Sequence, residues 1–333
     1  MNTIKQVMIS ETMIDAAVRE MFGSITFPAE PAGLYDPLRY MISIGGKRLR
    51  PRLCLTSYAL FRDTIPEDIV EPVRALEVYH SFTLIHDDIM DKSPLRRGCE
   101  TVWKKWNPDI AILSGDVMLA DAFRRAASAP MNVREKALAL FTRTAAEVCE
   151  GQQYDMDFES AEEVSMSEYG KMIGLKTAAL LACSSGMGAV LADAPDAACK
   201  ALYDYGWNIG MAFQVQDDYL DAFGDEKVFG KPIGGDIVNS KKSWLTVRAA
   251  EKASDKGAFL EAFSAPAGTA EEQAAKISAV RKFYLDLGVD KDAVSAIKDY
   301  SDKAMGAVEG IGLGQVRLES LKRFAAALIG RAK

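Results

Sequence analysis

The chain has 333 residues, 49% of them apolar, with a formal charge of −7 and a pI near 5.2. That apolar share supports a substantial core in one large domain or two small ones, and the acidic balance argues against a general nucleic-acid binder. No uninterrupted apolar run reaches the roughly 18–20 residues that span a bilayer. The N-terminal stretch MNTIKQVMISETMIDAAVRE carries acids, unlike a secretory signal. Cysteines at 54, 99, 149, 183 and 199 lack CxxC spacing and read as reduced thiols of a cytosolic protein.

Apolar residues recur at helical spacing along nearly the whole chain, while strand alternation and hairpin dipeptides are hard to find. The spacing predicts helices near 3–22, 34–44, 51–62, 66–91, 109–128, 132–158, 165–191, 196–223, 241–252, 256–264, 270–286, 290–308 and 314–331. Pro51, Pro66, Pro94 and Pro108 fall at helix starts or turns. Gly224 to Gly235 and Ala265-Pro266-Ala267-Gly268 are the clear loops. No linker separates two domains and no short repeat is visible. The expected fold is all-α: a single-domain helical bundle over 1–333 with a deep central cavity.

Chemistry-bearing residues collect at a few places. Gly45-Gly46-Lys47-Arg48-Leu49-Arg50-Pro51 sets three cations between paired glycines and a Pro that can open a helix. A helix N-terminus there adds its own positive end, although a short basic run by itself is commonly a solvated patch. His80 and His86, the two histidines of the chain, precede Asp87-Asp88-Ile89-Met90-Asp91. His80 lies two turns from Asp87 and shares its face; His86 does not. Arg96 and Arg97 follow in a short loop, as a surface salt bridge or as a bidentate phosphate fork.

The second half has a parallel layout. Lys176 and Thr177 lie in an apolar helix, where a lysine either snorkels to the surface or meets an anion. Gln214 stands one turn before Asp217-Asp218-Tyr219-Leu220-Asp221, and Lys231 and Lys241 follow. Asp87 pairs with Asp91 on one helix face, and Asp217 with Asp221. Carboxylates so crowded repel one another unless a proton or cation intervenes. Two such clusters ringed by cations describe acid-rich helix ends facing each other, which hold diphosphates through Mg²⁺.

From about residue 30 onward the chain strongly resembles the trans-isoprenyl diphosphate synthases, which include farnesyl and geranylgeranyl diphosphate synthases. GGKRLRP, HDDIMD, LRRG, the GD at 115–116, GLKTAAL, FQVQDDYLD, GKPIGGD and KKSWL occur in full order. The resemblance implies the isoprenoid synthase fold and condensation of isopentenyl diphosphate with an allylic diphosphate. It implies that Asp87, Asp91 and Asp217 ligate three Mg²⁺ on the allylic diphosphate, which Arg96, Lys176, Lys231 and Lys241 also contact. Lys47, Arg50, His80 and Arg97 are then expected to bind isopentenyl diphosphate. Thr177 and Gln214, with Lys176, are expected to line the ionisation site. Asp88, Asp218 and Asp221 are expected to orient ligands and lysines. A cytoplasmic homodimer is expected by analogy with the family.

Phe82 and the small Thr83, five and four residues before Asp87, are candidates for the wall that stops chain growth. As ordinary core residues they would have no such role. One aromatic beside a small neighbour resembles synthases that give C15 or C20 products. Two further readings compete: a non-catalytic subunit of a heteromeric prenyl synthase, and a class I terpene cyclase. The intact aspartates and cations disfavour the first, and the second DDxxD disfavours the other.

Overall fold

The computed structural model describes residues 9–225 and 233–330. The chain divides into two compact units, 1–143 with 183–202 and 144–182 with 203–333, and the boundaries fall within helices.

The first unit begins with α1 (Glu11–Gly23), α2 (Ala32–Ser43) and α3 (Leu49–Tyr58), followed by a 3₁₀ turn (Glu67–Ile69) and α4 (Val70–Met90). Helix α4 is buried around most of its circumference and packs along α6 (Pro108–Ala126). The local sequence accounts for the start of α6. The Asn107 side chain accepts from the Ile110 N–H at 2.9 Å, and Pro108 occupies the first turn, where no donor is needed. Tyr79, Phe82, Phe123 and Phe141 form a chain of edge-on and tilted ring contacts at 5.3–5.6 Å. Two expectations are corrected here. Residues 92–101 carry a small hairpin, β1 (Leu95–Arg96) paired antiparallel with β2 (Cys99–Glu100), and not an irregular loop. Its two-residue turn, Arg97-Gly98, has positive φ at both positions, as type I′ requires. The short helix α5 (Val102–Lys105) then precedes α6 and was not foreseen.

The second unit takes most of its helices from the C-terminal half. Helix α7 (Arg134–Ser160) ends in it. Then α8 (Met166–Ile173), a π segment (Gly174–Ala178) and α9 (Ala179–Leu191) replace the single regular helix expected over 165–191. Ser165 and Glu168 close a reciprocal capping box at the start of α8. The stretch Met166–Leu191 is long and apolar enough to cross a membrane by composition, but 83% of its most apolar 18-residue window is buried, and it reads as core. After α10 (Asp196–Phe223) come α11 (Gly235–Val238), α12 (Trp244–Lys252), α13 (Lys256–Phe263), α14 (Ala270–Asp286), α15 (Val289–Val308) and α16 (Gln315–Ile329). The core of this unit joins Tyr169, Met172, Val215, Trp244, Phe259 and Tyr284. The first expected helix, 3–22, reaches outside the described residues, and its described part begins at Glu11.

Candidate active site

Each DDxxD occupies the C-terminal end of a helix. Asp87–Asp91 ends α4, and Asp217–Asp221 lies close to the end of α10. The last turn of a helix carries partial negative charge from its free carbonyls, and basic residues usually balance it. Neither helix has a basic residue there. Carboxylates and helix dipole therefore add up, and each end is a strong attractor for cations.

Within each cluster the carboxylates divide by burial. Asp87 is half-buried and Asp91 exposed, whereas Asp88 is 1% exposed. Asp88 accepts from Arg96 Nε at 2.9 Å on one oxygen and from Nη2 at 2.7 Å on the other oxygen, which Nε also reaches. Burial pushes its pKa up, and Arg96 opposes that shift. In the second cluster Asp217 and Asp221 are half-buried and Asp218 is 5% exposed. Asp218 accepts from Tyr169 Oη, from the Trp244 N–H at 2.7 Å and from Gln214 Nε2 at 2.8 Å. Asp221 accepts from the Asp236 N–H at 3.0 Å, which ties α11 to the motif. Burial raises Asp218 and Asp236, whose mutual repulsion adds to the rise for Asp236.

The first unit gathers its cations around His80. Arg48, Arg50, Arg96 and Arg97 all depress the pKa of this half-buried ring, after burial itself. It is therefore neutral and can donate to or accept from a ligand. Glu77, 2% exposed, accepts from Arg48 Nη1 at 2.9 Å. The Arg50 Nε–H is buried with no protein acceptor, and burial lowers the Arg50 pKa to about 10. Arg97 donates to the Gly45 carbonyl, and its guanidinium lies against Gly46. A Cβ on Gly46 would stand 2.7 Å from Arg97 Nη1, and its φ of +141° is foreign to other residues. Lys47 is exposed beside it. An excess of guanidinium around a neutral imidazole, with a donor left over, suits a multiply charged anion. His86 differs in character: its Nε2 lies 3.2 Å from the Ile112 carbonyl, and its ring stacks edge-on to Phe82 at 4.8 Å. Thr83 donates to the His80 carbonyl at 2.9 Å, and Phe82 is buried.

In the second unit Lys176 and Thr177 occupy the π segment, a local widening often found at functional positions. Lys176 Nζ bonds to Asp155, and Lys241 Nζ stands 3.9 Å from the same carboxylate. Thr177 donates to Gln214 Oε1 at 2.9 Å. Lys231 lies outside the described residues. Sequence reasoning missed Asp155, Tyr169 and the involvement of Asp236. A signal for the first was present: Gly151 in the interior of α7 is costly unless something approaches closely, and Asp155 is one turn farther on. The approaching group is the π segment, since a Cβ on Gly151 would sit 2.2 Å from the Lys176 nitrogen.

The donor chemistry fits Mg²⁺. Accessible hard oxygens at i and i+4 suit it, and it keeps positions for water and phosphate. Among the described residues no three His, Cys, Asp or Glu side chains are gathered as a metal group. A cavity of about 240 Å³ in the second unit, lined by Glu163, Val247, Phe259 and Phe263 among others, includes none of these residues.

Comparison with known proteins identifies the family. The polyprenyl synthetase family model matches residues 31–281. A short chain isoprenyl diphosphate synthase of Methanothermobacter thermautotrophicus is 41% identical over 73% of this chain and 74% of its own. A geranylfarnesyl diphosphate synthase of Natronomonas pharaonis is 37% identical over 68% of this chain and 71% of its own. A crystal structure of a geranylgeranyl pyrophosphate synthase, 41% identical, superimposes with a TM-score of 0.92 over 97% of this chain and 99% of that one. The chain belongs to the polyprenyl synthetase family, has its all-helical fold, and is a prenyltransferase.

Proposed function

We propose that the protein, acting as one polyprenyl synthetase domain, catalyses Mg²⁺-dependent head-to-tail (1′-4) condensation of isopentenyl diphosphate with an allylic diphosphate. The product is a short-chain all-trans prenyl diphosphate, C15 or C20, with release of pyrophosphate. The observation that carries the reading is the burial pattern inside each DDxxD: Asp88 and Asp218 are buried among protein donors, whereas Asp87 and Asp217 are half-buried and Asp91 is exposed at the negative ends of α4 and α10. Such accessible oxygens are where a cation-bridged diphosphate can be held.

In this mechanism Asp87, Asp91 and Asp217 would hold three Mg²⁺, which would supply positive charge against the departing pyrophosphate. Arg96, Lys176, Lys231 and Lys241 bind the same diphosphate. Asp155 holds Lys176 and lies near Lys241, so both ammonium groups stay oriented before substrate arrives. Lys47, Arg50, His80 and Arg97 bind the diphosphate of isopentenyl diphosphate. Gln214 and Thr177 present oxygen to the allylic carbon as the C–O bond breaks. The double bond of isopentenyl diphosphate then attacks that carbon, and the released pyrophosphate takes the proton. Phe82, with Thr83 beside it, limits chain growth. We place the enzyme in the cytoplasm as a homodimer, by analogy with the family.

Incubation of the pure protein with Mg²⁺, dimethylallyl diphosphate and isopentenyl diphosphate tests the reading. Prenyl diphosphates of C15 or C20 are expected in the product mass spectrum. A cyclic hydrocarbon, or no transfer at all, rejects it. Asp87→Ala should reduce turnover by at least about 10³-fold, the scale of losing a main electrostatic contact, without unfolding the protein.

A further inference from the structure

One hydrogen-bonded chain in the second unit goes beyond holding side chains still. Asp218 is 5% exposed, and as a carboxylate it can only accept. Tyr169 Oη and the Trp244 N–H, at 2.7 Å, both donate to Oδ2. Burial and the nearby Asp218 charge raise the Tyr169 pKa, so the phenol keeps its proton and is a donor. Gln214 reaches Oδ1 at 2.8 Å, and only its NH₂ end can do so. The amide is thereby fixed end for end, and its Oε1 faces Thr177 at 2.9 Å. That oxygen can only accept, so the Thr177 hydroxyl must give its hydrogen to Gln214. What Thr177 has left to offer is lone pairs.

A threonine hydroxyl that could rotate would present either its hydrogen or its lone pairs to the site. The hydrogen end repels an electron-poor carbon, and the lone pairs attract it. Here the choice is made two hydrogen bonds away, by a buried carboxylate that needs donors on both oxygens. Preorganised dipoles of this kind cost no reorganisation when charge develops.

We propose that Tyr169 is a positioning residue for prenyl transfer, acting through Asp218 and Gln214 to turn the Thr177 oxygen toward the reacting carbon. This rests on the reading of Thr177 as a group facing the allylic carbon. Trp244 contributes through its backbone, so Tyr169 is the side chain at the head of the chain that mutation can remove. The ring also packs in the core at 2% exposure, and Tyr169→Phe keeps that packing.

Steady-state kinetics of Tyr169→Phe, Thr177→Val and the double variant test the coupling. Tyr169→Phe should lower kcat about tenfold, the scale of one hydrogen bond to a charged group, and leave both KM values within about twofold. In the Thr177→Val background it should cost clearly less, leaving only what the Gln214 oxygen contributes by itself, since groups acting as one unit are not additive. Unchanged kcat, or losses that multiply, would overturn the proposal. Asp218→Asn is the second variant, because an amide can turn a donor toward Gln214. It should also lower kcat more than it raises KM, and to a clearly smaller extent in the Thr177→Val background. Side-chain amide NMR of Gln214 reads the chain without turnover. Tyr169→Phe should shift the Gln214 NH₂ signals and speed their exchange, and unmoved signals overturn the coupling. Failure of the wild type to transfer prenyl groups would sink the reading of the site and leave the NMR result to decide the coupling.

Discussion

At the scale of single residues, His80 shows how a gathering of guanidinium groups taxes its own protein. Arg50, Arg97, Arg96 and Arg48 follow burial in holding its pKa well below the ordinary 6.5. The folded form therefore keeps the ring neutral, while the unfolded chain takes up a proton near 6.5. Stability from this group is present above that pH and is lost as pH falls below it, toward the folded value. In denaturant titrations from pH 7.5 down, His80 should contribute a decline below 6.5 of no more than about 1.4 kcal/mol per pH unit from one proton, opposed in the same range by Asp218 and Asp236, whose raised pKa values favour folding as pH falls. His80→Asn should remove that part of the slope. Phe82 offers a separate test. It is buried between Tyr79, at 5.5 Å, and His86, so its truncation leaves space in the core of the first unit. Phe82→Ala should lengthen the prenyl product, and an unchanged product distribution would remove Phe82 as the floor.

Helices α4 and α10 place their aspartates where the helix dipole is negative, and helix α7 supplies a different service. Its Gly151 admits the π segment so closely that a methyl group cannot fit. Gly151→Ala should destabilise the protein by about 1–3 kcal/mol, the usual cost of overpacking, and lower turnover as Lys176 and Thr177 shift. Thermal melting and kcat report the two effects. Helical periodicity showed that 165–191 is helical and buried, and it gave the ends of α10, α14 and α15 within a residue or two. It could not show the π segment, because a π widening answers to a neighbour on another element and leaves no period of its own. The hairpin at 95–100 escaped for a related reason. Its strands are too short to alternate, and Arg97 holds a positive φ that glycine usually supplies.

For the whole molecule, cation and anion binding depend on each other in the proposed mechanism, since Mg²⁺ bound by one or two carboxylates keeps positions for water and phosphate. Mg²⁺ alone should raise the melting temperature little, and inorganic pyrophosphate alone little. Together they should stabilise the protein by about 2.7 kcal/mol at a hundredfold excess over Kd. Chelation of Mg²⁺ should abolish turnover, and its return should restore it. Equal stabilisation by Mg²⁺ with and without pyrophosphate would show a site complete in itself.

The sequence by itself determined the helices, the family resemblance and the principal chemical groups. Those features depend on spacing within a single stretch: i and i+4 aspartates share a face in any α-helix, and GGKRLRP or KKSWL is legible without its neighbours. Tertiary structure decided which aspartates are accessible and which are spent on Arg96, Tyr169, Gln214 and Trp244. It also brought Asp155 to Lys176 and set the direction of the Thr177 hydroxyl. These facts turn on hydrogen bonds between residues far apart in the chain. A carboxylate looks the same in a sequence whether its oxygens meet a metal, an arginine or a phenol, and only the packed fold brings up the partner that decides.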